Sequence, residues 1–149
     1  MKILVIEDNR MAADALCRLL HERMDFVECK IVTTLKEGKE EAIIFKADVT
    51  VMDIMLPDAT KQQVLDAIRE LPPPVVVVSA LIEDDPELAA QCWDHGAKGV
   101  LSKRGLLEKI QTLDGVIQKV RFIDAITGSH LRATARTQRA SIEHGNRSF

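Results

Sequence analysis

With 149 residues and a formal net charge of −3, the chain is long enough to bury a core as one unstapled domain, and its mild acidity excludes a globular part that binds nucleic acid, since phosphate contacts require clustered Lys and Arg. Cys17, Cys29 and Cys92 lie far apart with no CxxC pair, which excludes a zinc motif and a disulfide framework and predicts a reducing, cytoplasmic setting. The apolar run at the N-terminus, Ile3 to Ile6, is too short for a signal peptide or a membrane span, so a soluble protein is expected.

Along the chain, short apolar runs alternate with segments of helical period, as in successive βα units around a parallel sheet. Lys2 to Ile6 reads as the first strand. Met11, Ala15, Leu16, Leu19 and Leu20 then recur at helical spacing up to about Met24, with Asn9 as the N-cap. Val27, Cys29 and Ile31 alternate with Glu28 and Lys30, the pattern of a half-covered strand near a sheet edge, and Leu35 to about Lys46 returns to helix. Val49 to Met52 is a buried strand. Thr60 and Gln63 form a capping-box pattern ahead of Val64, Leu65, Ile68 and Leu71, so a helix starts near Lys61, and Pro72, Pro73 and Pro74 end it. Val75 to Val78 is β-branched and uncharged, as a central parallel strand should be. Asp85 and Pro86 pair an N-cap with a first-turn proline, opening a helix that stops at Gly96. Val100 and Leu101 form a short last strand, after which Leu106, Ile110, Leu113, Ile117 and Val120 keep a helical stripe that Ile123 and Ile126 extend. The expected division is a domain over 1–127 and a basic, flexible tail over 128–149, where Arg132, Arg136, Arg139 and Arg147 stand against Glu143.

Glu7 and Asp8 follow the first strand, and Asp53 follows the third. In a doubly wound sheet of order 2-1-3-4-5, strands one and three are neighbours, and ligands bind beyond their carboxyl ends. Three carboxylates meeting there repel one another unless a divalent cation neutralises them, and an all-oxygen donor set points to Mg²⁺ or Mn²⁺. Ser79 at the end of strand four and Lys103 after strand five face the same mouth. Carboxylate nucleophile, metal, hydroxyl and compact cation are the parts of a phosphoryl-transfer site, with Asp53 as acceptor. Taken singly, the acids would read as a turn and a helix cap, Ser79 as a turn hydroxyl and Lys103 as a solvated charge; their joint positions promote them. Cys17 and Cys92 read as small core residues, and Trp93 as a packed residue or a partner anchor.

The segments VIEDN at 5–9, VTVMDIMLPD at 49–58, VVVVSA at 75–80 and HGAKGVLSK at 95–103 resemble, in order and spacing, the receiver domains of two-component response regulators. The resemblance covers about residues 1–122 and implies a flavodoxin-like, five-stranded α/β fold. It implies that Glu7 and Asp8 hold Mg²⁺ with Asp53 and the backbone carbonyl of Met55, that Ser79 and Lys103 contact the phosphoryl oxygens, and that small Ala80 leaves them room. The implied donor is the phosphohistidine of a histidine kinase or a phosphotransfer protein. The implied output is a protein partner or a phosphorylation-dependent homodimer, with slow self-hydrolysis as the only turnover.

Three positions depart from the family pattern. Val100 stands where Tyr or Phe is common, Arg104 follows Lys103 in place of a proline, and Lys61 replaces a frequent glycine, so an ordinary backbone is expected at that turn. Alternatives are a phosphatase of the haloacid-dehalogenase type, whose second acid would fall on Met55, a pseudo-receiver used as a constitutive binding module, and the receiver piece of a longer transcription regulator.

Overall fold

Successive side chains of a strand point to opposite faces, and in this chain both faces of the central strands are apolar. Ile3, Val5, Val49, Val51, Val76 and Val78 line one core, while Leu4, Ile6, Met52, Val75 and Val77 line the other. Such strands are stable only when helices cover both sides. The computed structural model describes residues 1–104 and 115–118 and has this layered architecture. Its elements are β1 (Lys2–Ile6), α1 (Arg10–Arg23), β2 (Glu28–Val32), α2 (Leu35–Ile44), β3 (Val49–Met52), α3 (Lys61–Glu70), β4 (Val75–Ser79), α4 (Pro86–Asp94) and β5 (Gly99–Ser102). All neighbouring strands are parallel, in the order β2-β1-β3-β4-β5. β3 and β4 are buried at every residue, whereas β2 at the edge alternates. Helix α1 and the buried Ile117, from the helical residues 115–118, cover one face; α2, α3 and α4 cover the other.

The helix starts follow their caps. Asn9 accepts from the Ala12 amide at 3.1 Å, Thr60 and Gln63 exchange bonds of 3.1 and 2.8 Å, and Asp85 accepts from Leu88 N at 3.0 Å ahead of Pro86. Gly96, at φ +106, supplies the left-handed turn after α4. Lys61 opens α3 behind Thr60 at φ −76, and no positive φ falls at that turn.

The expected stripe of α1 needs a correction. Met11 is 84% exposed, and the buried set is Ala13, Leu16, Cys17 and Leu20, with Ala15 and Leu19 half-buried at its border. At about 100° per residue, Met11 lies some 200° from Ala13 and so points away from the sheet. Cys17, distant from Cys29 in sequence, shares a core cluster with it where α1 packs on the edge strand, and neither forms a disulfide. Leu106, Ile110, Leu113, Val120, Ile123, Ile126 and the basic segment 128–149 lie outside the described residues. Among the described residues no helix is long and apolar enough to cross a membrane.

Candidate phosphoacceptor site

Backbone pairing brings the acids together. The Asp53 amide donates to the Ile6 carbonyl at 3.1 Å, and the Glu7 amide donates to the Val32 carbonyl at 3.0 Å, so each ladder continues one residue past its strand. The side chains of these two acids then sit at adjacent strand ends, with Glu7 5% and Asp53 7% exposed, while Asp8 stands exposed at the rim. One carboxylate oxygen from each of Glu7, Asp8 and Asp53 lies within 4.8 Å of the others.

Lys103 enters from the far side of the sheet. Its amide donates to the Ser79 carbonyl at 3.0 Å, which continues the β4–β5 ladder, and its Nζ reaches over β3. The ammonium donates to Glu7 Oε1 and, at 3.3 Å, to Asp53 Oδ2. Burial alone would lower the lysine pKa, but the bonds and charges of Glu7 and Asp53 outweigh it and hold the ammonium above its ordinary value. Burial, reinforced by Asp53, pushes the Glu7 carboxyl up to about 7 against the lowering effect of Lys103. Among the described residues Glu7 Oε2 is buried without a hydrogen-bond partner. Two buried acids share one ammonium and a third acid stands at the rim, so the donor set remains net negative and all-oxygen. Such a set suits a hard divalent cation of the Mg²⁺ or Mn²⁺ kind.

Ser79 ends β4 wholly buried, on the strand next to Asp53. Its hydroxyl accepts from Leu81 N at 3.3 Å, and among the described residues it has no hydrogen bond to Asp53 or Lys103. Ala80 follows it, exposed, as the first residue of the loop to α4. The Met55 amide donates to Asp53 Oδ1 at 3.2 Å, which fixes the carboxylate in a tight turn, while the Met55 side chain projects into solvent. An open groove of about 330 Å³ at the rim is lined by Asp8, Met55, Pro57, Ala59, Lys61 and Leu81, whereas Asp53, Glu7 and Lys103 line a separate pocket of about 30 Å³.

One contributor was not read from the sequence. Asp58 accepts from the amides of Leu35 at 2.8 Å and Lys36 at 3.1 Å, capping α2 from the loop that carries Met55. Its partners lie 22 and 23 residues away, and no periodic pattern carries a pairing of that range.

Residues 3–113 match the family model described as the response regulator receiver domain. Over 125 residues the chain is 29% identical to protein-glutamate methylesterase/protein-glutamine glutaminase 2 of Methanosarcina acetivorans, covering 81% of this chain and 35% of that protein. It is 25% identical to the transcriptional regulatory protein LytR of Staphylococcus aureus, covering 96% of this chain and 56% of the relative. The chain therefore spans about a third to a half of the length of these curated relatives. Among solved structures, the response regulator domain of Thermotoga maritima CheB superposes with a TM-score of 0.72 at 22% identity, covering 81% of this chain and 96% of that one. A signal receiver domain from Vibrio parahaemolyticus gives 0.69 at 20% identity, covering 84% and 95%. At these identities the likeness is one of fold.

Proposed function

Because the chain belongs to the response regulator receiver domain family, a family of phosphoryl-accepting signalling switches, we propose that its phosphoacceptor is Asp53. The observation that carries this reading is the joint placement of Asp53 with Glu7, Asp8 and Lys103 at the carboxyl ends of β1, β3 and β5. In the transfer, a carboxylate oxygen of Asp53 forms a bond to phosphorus as the N–P bond of a phosphohistidine breaks, and the imidazole keeps the electron pair and takes up a proton. Lys103 pairs with the equatorial oxygens as charge accumulates on them, and the Ser79 hydroxyl turns from its own loop to donate to one. The acyl phosphate is later cleaved by water, which restores the carboxylate and releases inorganic phosphate.

Glu7, Asp8, Asp53 and the Met55 carbonyl would hold Mg²⁺, which when bound neutralises the acids and the incoming phosphoryl charge. The donor class is a histidine kinase or phosphotransfer protein, and the output is a protein partner or a second copy of the domain. The methylesterase and transcriptional roles named for the longer relatives belong to those proteins. The family match leaves the haloacid-dehalogenase reading without support. Incubation with acetyl phosphate and Mg²⁺ should add one phosphoryl group by intact mass, and Asp53→Asn should abolish the addition. Full labelling of Asp53→Asn would remove Asp53 from this role, and an unlabelled wild type would favour the pseudo-receiver.

A further inference from the structure

The loop between β4 and α4 carries three consecutive acids, Glu83, Asp84 and Asp85, and two of them meet a cation from the end of β5. The Arg104 guanidinium places Nη1 3.4 Å from Glu83 Oε2 and Nη2 2.9 Å from Asp84 Oδ2. Arg104 also keeps an amide that a proline would lack, and donates it to Ser102 Oγ at 3.2 Å. The residue before it is Lys103, whose amide hangs on the Ser79 carbonyl at 3.0 Å. The two segments that bear the phosphoryl-contacting groups are thus joined at two points, a main-chain bond at their roots and a guanidinium fork at their tips.

Resting on the phosphoacceptor reading above, we infer that Arg104 is a positioning residue that ties the Lys103 segment to the Ser79 loop, so that the two groups close on a phosphoryl ligand together. A planar fork that spans two carboxylates fixes an orientation that a single point charge cannot. The pairs are exposed, with the Arg104 side chain 60% accessible, so they add little to global stability and are screened by salt. Their effect falls on the relative placement of the two loops they join. Mg²⁺ binding depends on Glu7, Asp8 and Asp53 on other strands, and does not draw on the fork.

The test is the affinity for beryllofluoride, a phosphoryl mimic, in saturating Mg²⁺, measured on the full chain for wild type, Arg104→Ala, Arg104→Lys and the double variant Glu83→Gln with Asp84→Asn. Arg104→Ala and the double variant should each bind about three- to fivefold more weakly, the scale of two exposed pairs, and combining them should add nothing further. Arg104→Lys should fall between, since an ammonium engages one carboxylate at a time. Mg²⁺ affinity without the mimic should stay at the wild-type value, and raising the salt should bring wild type down to the Arg104→Ala value. Equal mimic affinity in wild type and Arg104→Ala overturns the inference, as does a parallel loss of Mg²⁺ affinity. A wild type that binds no beryllofluoride overturns both this inference and the phosphoacceptor reading, whereas normal wild-type binding with unaffected variants overturns the coupling alone. If Arg104→Ala fails to fold, the double variant on the exposed loop carries the same comparison.

Discussion

Removing the Lys103 ammonium would leave Glu7 and Asp53 facing each other in a covered site, each without the cation that now bridges them. The converse substitution is more informative, because the Glu7 carboxyl is pushed up to about 7 chiefly by burial, which means that its charged form is disfavoured in the folded chain. Glu7→Gln keeps the shape and a bond for Lys103 while it deletes that charge. The metal-free protein should gain about 1 kcal/mol of stability at pH 8, and Mg²⁺ affinity should fall by about tenfold. Chemical denaturation and calorimetry measure the two effects, and a destabilised Glu7→Gln would mean that the buried ion pair outweighs its desolvation. Asp8→Ala differs in kind. Asp8 is exposed, so its removal should weaken Mg²⁺ with little change in stability, and unchanged Mg²⁺ affinity would take Asp8 out of the donor set.

The start of α2 shows how one element is held by another. Thr34 accepts from Glu37 N, and Asp58, from the loop after β3, accepts from Leu35 N and Lys36 N, so the open amides of the first turn are satisfied by two segments. Desolvation is the largest single influence on Asp58 and opposes its ionisation, but the amides of Leu35, Lys36 and Asp58 itself together outweigh it and hold the pKa below the usual 3.8. A depressed carboxylate stabilises the fold above its unfolded pKa, and that contribution is lost as pH falls through the folded one. Asp58→Ala should therefore cost about 1 kcal/mol at neutral pH, the scale of a lost cap, and the gap from wild type should close below about pH 4. A gap that persists in acid would assign the loss to packing. Gly38, on the inner face of the same helix, has no room for a Cβ, which would meet Ile6 Cγ1 at 2.9 Å. Gly38→Ala should destabilise by about 1–3 kcal/mol and, because Ile6 precedes Glu7, should also weaken Mg²⁺ binding. An alanine accepted without a change in melting would show that Ile6 can move aside.

Local chemistry made much of the molecule legible in its sequence. The caps at Asn9, Thr60 and Asp85 and the β-branched runs of β3 and β4 act within a few residues, and their elements fall where those signals put them. Strand order has no such local signature; the alternation of strands and helices suggests the doubly wound order, that order groups Asp53 with Lys103 at the strand ends, and the four spaced motifs support both. The features that were missed are tertiary: the rotation of α1 that exposes Met11, the meeting of Cys17 with Cys29, the cap from Asp58 and the pairing of Arg104. The site also draws on three strands at once, which gives it leverage on the whole fold. A ligand that binds only where β1, β3 and β5 are assembled stabilises the native state by mass action. Mg²⁺ with beryllofluoride at a hundredfold excess over Kd should add about 2.7 kcal/mol, which for a domain of this size raises Tm by roughly 5–10 °C. Asp53→Asn should lose the part of that rise that depends on beryllofluoride, since an amide oxygen is a poor ligand for it, and keep some response to Mg²⁺ through Glu7 and Asp8. Scanning calorimetry of both proteins, with Mg²⁺ alone and with the mimic, separates the two contributions. A wild-type Tm that does not respond to the mimic would mean that no phosphoryl-like ligand engages the sheet ends.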